Sequence, residues 1–167
     1  MTNSIHARRV LIVDDTPNIH DDFRKILCPV ISSTSKIIVE LETSMFDDEP
    51  ELQHDLPAFE LSHAYQGQEA LALVEQSLVA SAPFQVAFVD MRMPPGWDGV
   101  ETIRRLWAVD PHLQLVICTA YSDYSWKELS RALGTSDNLI ILKNPFDNIE
   151  VVQLAHALMR KWDLTRE

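Results

Sequence analysis

The sequence predicts an α/β fold, a doubly wound parallel sheet of five strands with helices on both faces. Apolar runs alternate with helix-like segments along its 167 residues. Four of the five runs are continuous and rich in β-branched residues, as is typical of strands buried on both faces. The runs span 9–13, 59–63, 86–90, 114–118 and 139–142. This alternation favours parallel strands joined by right-handed crossovers.

The second run differs from the others, because Phe59-Glu60-Leu61-Ser62-His63 alternates apolar with polar residues. Alternation of this kind predicts an edge strand. Helices are predicted from apolar residues at helical spacing and from end signals such as Pro17 in a first turn and Gly134 after a last one. The predicted helices cover 18–27, 68–79, 100–109, 125–133 and 147–162.

Residues 28–57 interrupt this rhythm with about thirty residues, where an ordinary connection has roughly 2–6. Ile38, Leu41 and Met45 have helical spacing, so a short helix is predicted over 36–46. The acidic tract 47–51 that follows predicts a mobile loop. A solvated insertion without chemistry is the favoured interpretation, and an element that docks a partner is the alternative.

Composition argues against two classes of partner. The 14 Lys and Arg residues face 25 Asp and Glu, for a formal charge of −11, and no basic stripe is present. Binding to nucleic acid or to an anionic membrane is therefore not expected. No apolar stretch reaches transmembrane length, and Cys28 and Cys118 are too far apart for a metal-ligand motif. A cytoplasmic protein with a buried Cys118 thiol is predicted.

Carboxylates follow two of the predicted strands. Asp14 and Asp15 come directly after the first strand, and Asp90 ends the third. The carboxyl ends of strands are where open α/β sheets bind ligands. Three acids at one edge repel each other unless they are protonated or neutralised by a hard cation such as Mg²⁺. Asp15 has a simpler alternative role as the N-cap of the first helix.

Five ordered motifs resemble those of the receiver domains of two-component response regulators, over Arg9 to about Trp162. They are Val10-Leu11-Ile12-Val13-Asp14-Asp15, Val89-Asp90-Met91-Arg92-Met93-Pro94, Asp98-Gly99, Thr119-Ala120 and Pro145-Phe146. The resemblance implies the flavodoxin-like strand order 2-1-3-4-5. It also implies a receiver domain over residues 7–162, with 163–167 as a tail or the start of a linker.

The resemblance implies a role for each site residue. Asp90 is the expected phosphoacceptor, a nucleophile that forms an acyl phosphate. Asp14, Asp15, Asp90 and the backbone carbonyl of Arg92 are the expected ligands of Mg²⁺. Thr119 is expected to hydrogen-bond the phosphoryl group. A receiver catalyses only its own phosphoryl transfer and dephosphorylation, so no other enzyme activity is expected.

Two features depart from the family pattern. The loop after Asp90 is one residue longer than usual, which predicts a changed rim and a place for Trp97 over the site. The family's lysine immediately precedes the proline, and that position holds Asn144, with Lys143 one residue earlier. Because side chains alternate along a strand, the offset would aim Lys143 away from Asp90 unless a bulge restores it.

The implied function is transfer of a phosphoryl group from a sensor histidine kinase or a phosphotransfer protein to Asp90, which switches a protein-interaction surface. A homodimer through the fourth helix, fifth strand and fifth helix is also predicted. One alternative is a pseudo-receiver that binds proteins without phosphorylation, which Asn144 favours. A phosphohydrolase of the haloacid dehalogenase type is disfavoured, because those enzymes separate the two acids after the first strand by one residue and Asp14-Asp15 are adjacent.

Overall fold

A computed structural model describes residues 8–28, 59–119, 126–134, 138–143 and 147–166. Strands and helices alternate within these ranges. The strands are β1 (Arg8–Val13), β2 (Phe59–Ala64), β3 (Val86–Asp90), β4 (Gln114–Thr119) and β5 (Leu139–Lys143). The helices are α1 (Pro17–Leu27), α2 (Gly67–Val79), α3 (Gly99–Val109), α4 (Trp126–Leu133) and α5 (Asn148–Arg166). The predicted elements are confirmed within about a turn, except that α5 continues past Trp162 to Arg166.

The five strands form one parallel sheet in the order β2-β1-β3-β4-β5. The predicted fold class and strand order are therefore confirmed, and β2 is an edge strand as its alternating sequence predicts. The central strand β3 is apolar because both of its faces are covered by helices. After β1 the chain places β2 on one side of it and β3 on the other, so the order of the strands changes direction between β1 and β3. The carboxyl ends of these two strands therefore flank the crevice in which such sheets bind ligands.

Two apolar clusters cover the two faces of the sheet. On one face α2, α3 and α4 contribute Ala70, Val74, Ile103, Leu106 and Leu129 to the first cluster. On the other face α1 and α5 contribute residues that include Phe23, Leu27, Val151, Ala155 and Leu158. This double layer, with helices packed on both faces of the sheet, is the doubly wound arrangement.

Cys118 is buried in the second cluster, as its apolar neighbours on β4 predict. Most of the 28–57 insertion, including the predicted helix over 36–46, lies outside the described residues. Within the part of the chain that the structure describes, no helix combines the length and the apolar character needed to cross a membrane.

Candidate functional site

The three predicted acids meet at the carboxyl edge of the sheet. Val13 pairs with Val89, so Asp14 and Asp90 follow at the same level on neighbouring strands. One ligand atom from each of Asp14, Asp15 and Asp90 can be chosen so that all three atoms lie within 4.8 Å of one another. Carboxylate oxygens this close form a donor set that suits a hard cation such as Mg²⁺.

The pKa of Asp90 is raised strongly by its surroundings. Burial first, and then the carboxylates of Asp14 and Asp15, raise the pKa of Asp90 to about 7. The backbone amides of Met91 and Arg92 act in the opposite direction and lower that pKa, because they stabilise the ionised carboxylate. Burial also raises the pKa of Asp14, which is 7% exposed. Because the carboxylates repel one another, this cluster favours the binding of a cation.

The turn between β1 and α1 orients the first two acids. The Thr16 amide donates to Asp14 Oδ1 at 2.8 Å, and the Thr16 hydroxyl donates to Asp15 Oδ1 at 3.4 Å. Helix α1 has Thr16, not Asp15, at its N-cap, and the Thr16 side chain makes no capping hydrogen bond. The alternative in which Asp15 caps the helix is therefore wrong, because the helix begins one residue later than that role requires. The Asp15 side chain is instead oriented by its contact with the Thr16 hydroxyl in the turn.

A buried histidine supports this turn from behind. His20 is 1% exposed, and its Nε2 lies 2.7 Å from the backbone carbonyl oxygen of Asp14. Its Nδ1 lies 2.7 Å from Nδ1 of His63 on β2. Sequence reasoning did not find this pair. One feature of the sequence does indicate that His20 is buried: it shares the apolar face of α1 with Phe23 and Leu27, at i, i+3 and i+7.

The loop between β3 and α3 packs closely against the strand that carries Asp90. The Gly99 amide donates to the Met91 carbonyl at 2.7 Å, and a Cβ atom at Gly99 would lie 2.7 Å from the Asp90 carbonyl oxygen. Asp98 caps α3 by accepting from the Glu101 amide at 2.8 Å. Glycine is thus required where the helix begins, because a side chain would collide with the backbone of the site.

Trp97 occupies this loop but lies against two helices. Its ring is close to Gly67 at the start of α2, and the guanidinium of Arg105 on α3 lies 5.0 Å from the centre of the ring. Both of these contacts hold the ring against α2 and α3, and neither involves one of the three carboxylates. The place of Trp97 over the site stays a prediction, which these contacts do not support.

Thr119 and Lys143 are adjacent at the ends of β4 and β5. Thr119 is fully buried, Lys143 is exposed, and the two residues pair directly in the parallel ladder. Asp90 pairs instead with Cys118, one residue before Thr119. Lys143 therefore shares the row of Thr119, one step beyond the row of Asp90. Asn144 lies outside the described residues, as do Pro145 and Phe146.

The fold is a doubly wound parallel sheet with three carboxylates gathered at its carboxyl edge, and comparison with known proteins identifies the family. Residues 45–156 match the family model described as the response regulator receiver domain. The chain belongs to this family, whose members are the receiver domains of two-component systems. The match begins after β1, so Asp14 and Asp15 lie outside it, and the sheet pairing is what brings them beside Asp90.

Two curated proteins resemble part of the chain. It is 30% identical over 84 residues to the sporulation initiation phosphotransferase F of Bacillus subtilis, covering 50% of this chain and 64% of that protein. It is 40% identical over 89 residues to an uncharacterized response regulatory protein of Vibrio cholerae, covering 47% of this chain and 31% of that protein. The alignments thus span less than two thirds of the length of either relative.

Solved structures share the fold over nearly the whole chain. A receiver domain protein from Methanospirillum hungatei superposes with a TM-score of 0.64 at 19% identity, covering 95% of this chain and 98% of that one. The signal receiver domain of an HD domain-containing protein from Pseudomonas fluorescens gives a TM-score of 0.68 at 16% identity, covering 99% and 96%. At these identities the likeness concerns the fold alone.

Proposed function

We propose that this receiver accepts a phosphoryl group on Asp90 from a sensor histidine kinase or a phosphotransfer protein, with Mg²⁺ held by Asp14, Asp15, Asp90 and the carbonyl of Arg92. The observation that carries the proposal is the approach of three carboxylates to within 4.8 Å at the edge of the sheet. Their oxygen-only donor set fits Mg²⁺, which prefers carboxylate and carbonyl ligands. When bound, the ion would supply positive charge that offsets the charge of the carboxylates and of the transferring group.

Asp90 performs the proposed bond formation. One of its carboxylate oxygens attacks the phosphorus of a phosphohistidine, and an O–P bond forms while the P–N bond breaks. The electron pair of the broken bond stays on the donor's imidazole nitrogen. The attack requires the ionised form of Asp90, which the backbone amides of Met91 and Arg92 favour. The product is an acyl phosphate on the side chain.

Thr119 and Lys143 are proposed to hold the new phosphoryl group. A hydroxyl group can donate a hydrogen bond to a phosphoryl oxygen, and an ammonium group adds positive charge. The direct pairing of Thr119 with Lys143 supports a joint role, because neighbouring strands lie about 4.8 Å apart. The register favours Lys143 over Asn144 for this role, because it is Lys143 that stands beside Thr119.

The proposed output is a shift in the population of surface conformations after phosphorylation. The relevant surface would be formed by α4, β5 and α5, which adjoin the strand that carries Thr119. A cytoplasmic site of action agrees with a kinase or phosphotransfer protein as the donor. The name of the Bacillus subtilis relative, a phosphotransferase, supports a place in a phosphorelay for a protein of this kind.

Intact-mass spectrometry tests the proposal directly. Incubation with acetyl phosphate and Mg²⁺ should add one phosphoryl group to the wild-type chain, and EDTA should prevent the addition. Asp90→Asn should stay unmodified. Asp98→Asn is the matched control, because it changes an acid in the same loop and asparagine is still a good N-cap for α3.

Two results would contradict the proposal. Labelling of Asp90→Asn at the wild-type level would show that another residue accepts the phosphoryl group. Folded wild-type protein that takes no label from acetyl phosphate or from a phosphohistidine donor would favour the pseudo-receiver, which binds proteins without phosphorylation.

A further inference from the structure

The His20–His63 pair lies directly behind the acids of the site. His20 is buried on α1, and both of its ring nitrogens have partners at 2.7 Å, the Asp14 carbonyl oxygen and His63 Nδ1. The two rings meet edge to face with centroids 4.9 Å apart, and the Tyr65 ring packs on His20 at 4.4 Å. A buried polar ring is costly unless its polar atoms are hydrogen-bonded, and here both nitrogens of His20 are.

The carbonyl that His20 holds belongs to the peptide between Asp14 and Asp15. On the other side of Asp14, its amide donates to the Ala64 carbonyl on β2 at 3.1 Å. The Asp14 backbone is thus fixed at both its N–H and its C=O. The peptide plane after Asp14 sets the position of Asp15. The hydrogen bond from His20 to the Asp14 carbonyl therefore constrains the backbone from which both carboxylates project.

The hydrogen-bond partners indicate which ring nitrogens carry a hydrogen. A carbonyl oxygen only accepts, so Nε2 of His20 carries a hydrogen. In a neutral imidazole the other nitrogen is then an acceptor, and the hydrogen of the Nδ1–Nδ1 bond belongs to His63. His63 therefore holds His20 in the tautomer that can donate to Asp14.

We infer that His20 is a positioning residue for the divalent cation site, and that His63 fixes its tautomer. The inference rests on the proposed function, because it assigns these histidines a role in the affinity of Asp14 and Asp15 for Mg²⁺. Partners that orient ligand-bearing groups in this way commonly change metal affinity by about 10- to 100-fold when they are removed. Neither histidine touches the phosphoryl group in this role.

Two substitutions of similar polarity separate positioning from packing. The side-chain nitrogen of glutamine stands as many bonds from Cβ as His Nε2, whereas that of asparagine matches Nδ1. His20→Asn should therefore lose the bond to Asp14 and weaken Mg²⁺ binding roughly tenfold, and His20→Gln should keep the affinity within about threefold of wild type. Isothermal titration calorimetry with Mg²⁺ alone, at one fixed pH, measures both.

The controls identify a purely structural role. His112→Asn changes an exposed histidine whose backbone amide, which the substitution keeps, donates to Asp110, so Mg²⁺ affinity should not change. Urea unfolding of each variant reports stability separately. Equal Mg²⁺ affinity in wild type and in His20→Asn, or equal losses in the Asn and Gln variants, would overturn the inference.

A measurement on the unmodified protein covers the case in which His20→Asn does not fold. Long-range proton–nitrogen NMR correlations should show the hydrogen of His20 on Nε2 and that of His63 on Nδ1. A hydrogen on Nδ1 of His20 alone would overturn the inference. Wild-type protein that binds no Mg²⁺ would instead refute the proposed function, whereas Mg²⁺ binding that is indifferent to His20 refutes the positioning role only.

Discussion

Thr119 and Lys143 are direct partners in the ladder between β4 and β5. Their pairing places a buried hydroxyl and an exposed ammonium side by side at the sheet edge that carries Asp90. The sequence left open whether Lys143 or Asn144 serves the site, because the proline that follows is one residue farther away than in the family pattern. We propose Lys143, because the register pairs it with Thr119.

Removing the ammonium group of Lys143 should slow phosphorylation of Asp90. Lys143→Met keeps most of the side-chain length and loses the charge, so the initial rate with acetyl phosphate should fall by roughly tenfold. Lys127→Met, an exposed lysine on α4, is the matched control and should label at the wild-type rate. Asn144→Lys should have little effect. A faster rate in Asn144→Lys together with an unchanged Lys143→Met would reverse the assignment.

The stability of the metal-free protein should depend on pH through Asp90. Because the folded pKa of Asp90 is about 7 against a usual 3.8, the folded state binds its proton more tightly than the unfolded chain does. The stabilisation that comes from the Asp90 proton is complete below about pH 4. It decreases as the pH rises and is lost once the pH has passed about 7. Asp90→Asn has no such loss.

We therefore expect Asp90→Asn to gain free energy of unfolding relative to wild type as the pH rises. Between about pH 5 and about pH 8 proton linkage gives roughly 2.6 kcal/mol, and we expect about half of it, roughly 1.3 kcal/mol, because Asp90 is partly exposed to water. Urea denaturation in EDTA at the two pH values measures it. A difference between the two proteins that is the same at both pH values would show that Asp90 has an ordinary pKa.

Gly99→Ala should damage both stability and the site. The new methyl group would lie 2.7 Å from the Asp90 carbonyl oxygen and 2.9 Å from Met91 Cα, so the backbone of the site must move. We expect a loss of about 2 kcal/mol in the free energy of unfolding and slower labelling of Asp90.

Gly134→Ala is the matched control for Gly99→Ala. Gly134 has φ of +78°, and a Cβ atom added there would meet no atom within 4 Å, so its substitution strains only the local backbone after α4. A loss of about 1 kcal/mol with normal labelling is expected. Equal labelling by both variants would show that the contact of Gly99 with β3 does not support the site.

Self-association through α4, β5 and α5 stays a prediction. The apolar residues of α5 give it limited support, since Ala155, Leu158 and Met159 are buried within the monomer. Ile149 and Leu164 remain exposed, at 69% and 52%. Beryllofluoride with Mg²⁺, a phosphoryl mimic, should strengthen a weak dimer in sedimentation velocity.

A charge on the exposed part of α5 should weaken that dimer. Ile149→Asp should shift the protein toward monomer, whereas Val79→Asp, on the exposed end of α2, should leave the association unchanged. A monomer at high concentration with and without the mimic would contradict the dimer and favour docking to a different partner.

The sequence by itself determined the layers of the fold and the three acids. Buried strands such as β3 need unbroken apolar runs, and each such run ends where the chain leaves the core, so the acids that follow β1 and β3 could be located from pattern alone. Parallel strands connected by helices then bring Asp14 and Asp90 to one edge. The apolar runs and the acids that follow them are local features of the sequence, so they can be predicted without the tertiary structure.

Only the tertiary structure decided the partners of the side chains around those acids. His20 and His63 are 43 residues apart and meet because α1 packs across β1 and β2, which no spacing within either segment indicates. The pairing of Lys143 with Thr119 likewise depends on the register of β5, and a shift of one residue would place Lys143 on the opposite face. Apolar periodicity specifies which residues are buried, but contacts between distant polar groups depend on how the packed elements are aligned.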